Sequence, residues 1–494
     1  MTGPIPARSS GTSIFGGIGR ALSHRDYLLY WSSNGINTIG RRMYRIAVGW
    51  LTWERTESTT WLGIIAFAES FPLVVLTVLA GAIADRVGYI RITLLVQTAT
   101  AIVAAAFATM TIAGVITIEL VLISALLIGS LESLTTPARM ALVHALVPKQ
   151  DMAAAIALSS ATFNAARFIG PAIAGALLVW TGSGVVLAVV TLAFTQFCFT
   201  LLIVKADEPE RNPGSWRELT GDIVTGIRYG FRQPGIRFLL VMLGVTGLLI
   251  RPVIELMPGF SAEVFDRGAD GLAILMSTLG FGAMVSCIWM AQRGRTDGLT
   301  ALVITSLLVQ RVTLVLGAAA GYFGGNRWLS AGFLGVVGFA MLVGGVGSQT
   351  LMQNAIESHM RARVMSLFIM ISWGLPAFGA LAAGWIANFA GLPVTVSAGG
   401  ALTILLWLWA RPRARKLESD LEKTLERALS IRCGRTGIDT ISPVFFARAV
   451  VPTGASPGGR PRRRFSRNAD SESSANRACQ RPIRIRATAG SGRW

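Results

Sequence analysis

Charged residues are scarce in this chain of 494 residues: Asp, Glu, Lys and Arg make up 14% of it, whereas hydrophobic residues make up 52%. A soluble globular protein usually carries about 25% charged residues. A soluble protein of this length would need a large polar surface to cover two or three domains, and this chain lacks the residues for one. The composition therefore favours a protein that lies mostly in a lipid bilayer.

Cysteine and histidine are also few, with four and three residues. The cysteines form no CxxC pair and the histidines no HExxH motif, which argues against a disulfide scaffold and a zinc site. No catalytic constellation and no Walker A motif is present. We therefore expect no metal, no cofactor and no enzymatic activity. Residues 1–23 lack the apolar core of a signal peptide, so none is expected.

Long apolar runs dominate the rest of the sequence. About 20 apolar residues suffice for a helix to cross a bilayer, and the runs are continuous, without the alternation of barrel strands. Twelve spans are predicted: 27–53, 61–84, 90–112, 117–140, 154–180, 184–204, 237–260, 270–291, 299–322, 328–354, 362–389 and 393–410.

The loops between these spans differ in charge. One set is rich in Lys and Arg, including the long 205–236 segment, whereas the opposite set, such as 181–184, is nearly uncharged. Positive loops stay in the cytoplasm, so both termini are predicted to be cytoplasmic.

The 205–236 segment divides the spans six and six, and the halves resemble each other. Pro171-Ala172 recurs as Pro376-Ala377, and Gly88 recurs as Gly294, at offsets of 205 and 206 residues. We therefore predict an all-α, polytopic membrane protein with two six-helix repeats. Its parts are an N-terminal cytoplasmic segment (1–26), an N-terminal bundle (27–204), a cytoplasmic linker (205–236), a C-terminal bundle (237–410) and a basic tail (411–494).

The loop after the second span carries the most specific motif. Gly81, Asp85, Arg86 and Gly88 follow the GxxxDRxGRR signature, although Tyr89 and Ile90 replace basic residues. At this position the segment resembles the signature of the major facilitator superfamily. The resemblance implies a cytoplasmic latch between the two halves, for which the candidate residues are Gly81, Asp85, Arg86, Gly88, Arg91, Arg139, Arg361 and Arg363.

A second motif lies in the fifth span, where Gly170, Pro171 and Gly175 are similar to the GxxxGPxxGG motif of superfamily exporters. Small residues on one face let a neighbouring helix approach closely. Further segments, such as Asn164-Ala-Ala-Arg167 and Glu255-Leu-Met-Pro258, resemble the bacterial transmembrane secretion effector branch, which includes enterobactin exporter-like proteins. The resemblance covers about residues 24–410. It implies a proton-coupled exporter of small organic molecules in a bacterial inner membrane, which we expect to be monomeric.

Several polar residues lie inside predicted spans, where a charge costs roughly 2.5–3.5 kcal/mol on insertion scales. The candidates for a cavity or for coupling are Arg41, Arg45, Glu132, Asn164, Arg167, Arg251, Glu255 and Arg311. Arg251 and Glu255 are four residues apart and are predicted to pair along one helix face. Glu255 and Glu132 are the candidate proton-coupling acids, the alternative being structural ion pairs. For Arg42 and Arg311 we expect that one of the two snorkels to an interface. The excess of arginine favours an anionic or zwitterionic substrate.

The tail from residue 411 has 19 basic and 7 acidic residues, and so carries +12 of the net charge of +19. Residues 411–428 are predicted to form a short amphipathic helix at the membrane surface, and the rest to be disordered. No nucleic-acid partner is expected, because the basic runs lack interleaved aromatic residues. The alternatives that stay open are a receptor or scaffold acting through the tail and, within transport, a lipid flippase or an importer.

Overall fold

A computed structural model describes residues 16–148, 150–206, 225, 227–265, 267–293, 298–324, 327–356 and 360–422. These residues contain helices and no strand. The helices are α1 (Gly16–Ser23), α2 (Arg25–Thr56), α3 (Thr59–Val87), α4 (Tyr89–Ile112), α5 (Ile118–Leu146), α6 (Met152–Ile203), α7 (Pro234–Leu249), α8 (Pro252–Glu255), α9 (Met257–Gly259), α10 (Ala269–Arg293), α11 (Leu299–Gly324), α12 (Arg327–Ala355), α13 (Arg361–Ala390) and α14 (Leu392–Glu422). The all-α prediction is therefore confirmed.

Ten helical segments among the described residues are long and apolar enough to cross a membrane. One of them, α6, has 52 residues and contains two of the predicted spans. Another predicted span lies in α2, which has Arg41, Arg42 and Arg45 near its middle and is too polar to qualify by composition. The count of twelve spans and the position of the termini stay predictions.

Single glycines provide two of the tightest turns. Gly88 has φ 99° and ψ 143°, a conformation that residues with a Cβ rarely adopt, and it alone separates α3 from α4. Gly182 has φ 78° and ψ 175°, and it interrupts α6 where two helices meet. At about 1.5 Å per residue, an unbroken α6 would be far longer than a bilayer is thick.

The predicted seventh span, 237–260, is broken, contrary to the expectation of one helix. The α7 helix ends at Leu249, and Pro252 is the first residue of the short α8. Proline cannot donate a backbone hydrogen bond and clashes with the preceding turn, which explains the break at this point. A π-helical turn, Phe260–Val264, follows α9.

The last predicted span continues directly into the tail. Helix α14 runs from Leu392 to Glu422 without a break at Arg411. Residues 411–422 are thus helical, as predicted, but they continue the last span and do not form a short helix of their own. Residues 423–428 lie outside the described residues, and the position at the membrane surface stays a prediction. The guanidinium of Arg413 lies 4.2 Å from the ring centre of Trp409. The predicted disordered segment likewise lies outside the described residues.

The buried apolar residues form several clusters, and these differ in whether they contain residues of both halves of the chain or of one half only. One cluster, here called the shared cluster, draws on both halves of the chain; it includes Trp53, Val253, Leu256, Phe260 and Leu392. The other clusters each draw on one half only, with Tyr27 and Phe197 in one and Ile236 and Leu367 in another. The halves also pack through α3 against α13 and through α6 against α10.

Candidate functional site

A cluster of charged side chains lies between the two halves of the chain, and Arg45 of α2 is at its centre. Its Nε lies 3.3 Å from Oε1 of Glu69 in α3, and its Nη1 lies 3.6 Å from Oε1 of Glu255 in α8. Its Nη2 also donates to the hydroxyl of Ser70 at 3.2 Å. All three ionic side chains are largely buried, between 19% and 28% exposed. One arginine therefore links a carboxylate from each half.

Glu132 of α5 forms a second ionic group within the N-terminal half. It pairs with Arg41 of α2, and its Oε2 also lies 3.0 Å from Nη2 of Arg139. Arg139 donates in addition to the hydroxyl of Thr135 at 2.9 Å. The guanidinium of Arg139, a candidate residue of the latch, thus pairs with Glu132. A role for Arg139 in the latch stays a prediction.

Arg251 and Glu255 do not form the expected pair, because the helix break lies between them and Glu255 pairs with Arg45. No ion pair joins the two among the described residues. Nη1 of Arg251 instead donates to the carbonyl of Ser372 in α13. Its guanidinium lies 5.4 Å from the ring centre of Trp373. The i, i+4 rule assumed a continuous helix, and Pro252 removes that condition.

Arg42 and Arg167 lie beside this cluster. The guanidinium of Arg42 is 4.9 Å from the ring centre of Phe163, and its charge repels those of Arg167 and Arg45. Arg42 therefore lies beside the charged cluster, packed on α6, and not at an interface. Asn164, expected to line the cavity, donates to the carbonyl of Ser160 one turn before it, at 2.9 Å.

Arg311 of α11 is completely buried, so the prediction that one of Arg42 and Arg311 snorkels to an interface is wrong. Its Nη2 donates to the carbonyl of Leu249, the last residue of α7. The last carbonyls of a helix lack partners within it, and a cation there is also favoured by the helix dipole. Arg311 thus caps α7 at the break that precedes Arg251. Its Nε and Nη1 have no hydrogen-bond partner in the described structure.

The glycines of the fifth-span motif lie where helices touch. A Cβ on Gly170 would meet the Cβ of Arg42 in α2, and one on Gly175 would meet Ala273 in α10. Pro171 between them is buried. Gly170 therefore packs within the N-terminal half, whereas Gly175 packs against the C-terminal half.

Only part of the latch motif can be described. Gly88 forms the turn between α3 and α4, and Arg86 and Arg91 flank it with exposed side chains. The side chains of Asp85, Arg361 and Arg363, and the surroundings of Gly81, lie outside what the structure describes. The latch stays a prediction.

Known proteins resemble this chain over most of its length. The model of the transmembrane secretion effector family matches residues 20–429. The chain belongs to this family of major facilitator transporters. It is therefore a multi-pass membrane transporter of small molecules and not an enzyme, as the sequence motifs predicted.

Two curated relatives are similar to this chain over most of their length. The staphyloferrin A transporter of Staphylococcus aureus is 24% identical over 404 residues, which are 80% of this chain and 98% of that one. The multidrug efflux pump Tap of Mycolicibacterium fortuitum is 26% identical over 389 residues, or 76% of this chain and 92% of that one.

Solved structures agree in fold. A D-xylose-proton symporter superposes with a TM-score of 0.62 at 14% identity, covering 78% of this chain and 97% of that one. The nucleoside transporter NupG gives a TM-score of 0.58 at 12% identity, covering 78% of this chain and 98% of that one. At these identities the likeness establishes the major facilitator fold alone.

Sequence reasoning missed one acid of the transporter's central cluster. Glu69 lies in the predicted span 61–84 and pairs with Arg45. Glu132 was selected because an ionisable residue within an apolar run is a candidate for a functional site. Glu69 meets the same criterion.

A third ionic contact lies outside the spans, at the start of α6. Asp151 is buried, and its carboxylate lies 3.3 Å from Nε2 of His24 and 3.1 Å from Nε of Arg20. Hydrogen bonds, from His24 first and then from Arg20, hold the pKa of Asp151 below its ordinary value. This contact attaches α1 to the start of α6.

Proposed function

We propose that this transporter is a proton-coupled exporter of small organic molecules that works by alternating access between two six-helix bundles, 27–204 and 237–410. It would act as a monomer in a bacterial inner membrane, with both termini in the cytoplasm. Efflux among the curated relatives and the exporter-like motif at Gly170 and Gly175 support the outward direction.

The observation that carries the proposal is the position of Arg45 between Glu69 and Glu255. Glu255 belongs to the C-terminal half, and Arg45 and Glu69 belong to the N-terminal half. Major facilitator transporters place substrate and coupling ions between their halves near the middle of the bilayer. A proton on Glu255 would therefore change an electrostatic contact between the two bodies that move.

The arrangement of the apolar clusters supports alternating access. The shared cluster holds the halves together at the end with Trp53 and Phe260, whereas the opposite end has clusters confined to one half. With both termini in the cytoplasm, the joined end is extracellular. The conformation is then closed toward the outside.

Two effects would govern the proton on Glu255. Apolar surroundings favour the neutral acid, and the guanidinium of Arg45 favours the carboxylate. A substrate that draws Arg45 away would favour protonation, and the return of Arg45 after release would expel the proton. Glu132 is the rival coupling acid, although its partners Arg41 and Arg139 lie in its own half.

An efflux assay in cells tests the proposal. Cells that produce the protein should keep less of at least one organic probe than cells with an empty vector, and a proton uncoupler should abolish the difference. Uptake instead of efflux would indicate an importer, and movement of a labelled phospholipid alone would indicate a flippase. The family match ends at residue 429, so a transporter should keep its efflux activity when residues 431–494 are deleted. A protein whose cellular function is lost on this deletion would instead fit the alternative of a receptor or scaffold that acts through the tail.

A further inference from the structure

The cluster around Arg45, the Glu132 group and the arginines beside them together carry more positive than negative charge. They contain six arginines and three glutamates: Arg41, Arg42, Arg45, Arg139, Arg167 and Arg251 against Glu69, Glu132 and Glu255. The ion pairs involve Arg41, Arg45 and Arg139. Arg42, Arg167 and Arg251 have no carboxylate within ion-pair distance among the described residues. A charge that is partly removed from water and lacks a partner of opposite sign is destabilising, so this excess calls for a counter-ion.

Arg167 lies close enough to Arg42 and to Arg251 for its charge to repel each of theirs. Arg167 interacts with Arg42 within the N-terminal half and with Arg251 across the halves. The α6 backbone at Arg167 also touches α10, since a Cβ on Gly280 would lie 2.7 Å from the Arg167 carbonyl oxygen. The repulsion therefore acts at the contact between the halves, and an anion between these arginines would relieve it.

Two of the three side chains are held by contacts that leave donors available. The guanidinium of Arg42 packs on the ring of Phe163, and that of Arg251 packs on Trp373. A ring on the face of a guanidinium leaves its N–H edge open, and that edge binds a carboxylate with two parallel hydrogen bonds. Arg251 uses one N–H on the carbonyl of Ser372 and retains others.

We propose that the transported molecule is an organic polyanion whose carboxylates bind Arg42 and Arg167 on one side and Arg251 on the other. This inference rests on the proposed transport function and specifies its substrate class. The molecule would neutralise the excess charge and would connect the two halves through its own anionic groups. A cation would meet only repulsion from these three residues.

Ligand-dependent thermal unfolding of the purified, full-length protein in a neutral detergent tests the substrate class without any gradient. The probe is citrate, compared with sodium chloride at equal ionic strength, with uncharged triethyl citrate and with the cation tetraphenylphosphonium. Citrate alone should raise the unfolding temperature. Stabilisation by tetraphenylphosphonium but not by citrate would overturn the proposal.

Variants then assign the effect to the arginines. Arg167→Gln should unfold at a higher temperature than the wild type without ligand, because a partly buried charge without a carboxylate partner among the described residues is removed. It should also need at least tenfold more citrate for the same shift. Arg251→Gln should lose the citrate response similarly, and Arg167→Lys should retain part of it. Arg237→Gln, at an exposed position in α7, is the matched control and should respond like the wild type. An undiminished response in Arg167→Gln would overturn the proposal.

The anion of a lipid headgroup has the same chemistry, so a further sample receives phosphatidylglycerol in place of citrate. Stabilisation by the lipid that Arg167→Gln abolishes, without any effect of citrate, would overturn the assignment to a soluble substrate. Because these measurements need no proton gradient, they can fail while uncoupler-sensitive efflux persists, and the reverse also holds.

Discussion

Arg45 and Glu255 form an ion pair between the two halves of the transporter, with 3.6 Å between Nη1 and Oε1. They are 210 residues apart in the sequence and belong to helices on either side of the contact between the halves. Glu255 lies in the short helix α8, which begins at Pro252 after the break in the seventh span. A proton bound by Glu255 would therefore alter a contact between the two halves.

Glu255→Gln should abolish uphill efflux and keep downhill exchange. The amide cannot bind and release a proton, but it retains the size of the side chain, so substrate can still cross. The concentration ratio across proteoliposomes should fall about tenfold or more, since ~1.4 kcal/mol of lost coupling is tenfold in an equilibrium. Glu132→Gln, whose ionic partners lie within one half, is the comparison. If Glu255→Gln still concentrates substrate, the coupling site lies elsewhere.

Gly175→Leu should destabilise the contact between the two halves at α6 and α10 and slow transport. Its side chain would enter the backbone contact with Ala273 between α6 and α10, and overpacking of this kind costs typically ~1–3 kcal/mol. Gly332→Leu is the control, because nothing lies within 4 Å of a Cβ built on Gly332. Unfolding temperature and transport rate should separate the two variants, and equal behaviour would contradict the packing argument.

The sequence predicted the helical class and the superfamily because both depend on local information. Apolar runs of membrane length and the Gly88 turn are visible in one stretch of chain. The ionic partners cannot be identified in this way, because they depend on which helices pack together. Arg45, for example, pairs with Glu69 and Glu255 on two other helices. The Arg251–Glu255 pair was predicted from spacing alone, which assumes a continuous helix. Pro252 lies between the two residues, and a proline inside a helix breaks or kinks it, so the sequence itself argued against the pair.

The contact between α1 and α6 should weaken in acid. The pKa of Asp151 is lowered in the folded state by His24 and Arg20, so its stabilisation is complete above the ordinary pKa of an aspartate. It is lost as the pH falls through the lowered value, over roughly pH 4 and below. Hydrogen exchange of α1 amides, corrected for intrinsic rates, should show this loss in the wild type. Asp151→Asn should exchange fast at every pH, and an unchanged profile would refute the assignment.

Arg311→Met should stabilise the purified protein and impair transport. Methionine removes a buried charge that has no carboxylate partner, which relieves several kcal/mol, and leaves the carbonyl of Leu249 unpaired, which costs ~1–3 kcal/mol. The first effect is the larger, so the unfolding temperature should rise. Transport should fall because the capped end of α7 positions the break that separates Arg251 from Glu255. Arg311→Lys keeps the charge and a donor for Leu249, and it should retain more transport than Arg311→Met without the gain in stability. A methionine variant that transports like the wild type would show that the cap at Leu249 has no part in the transport cycle.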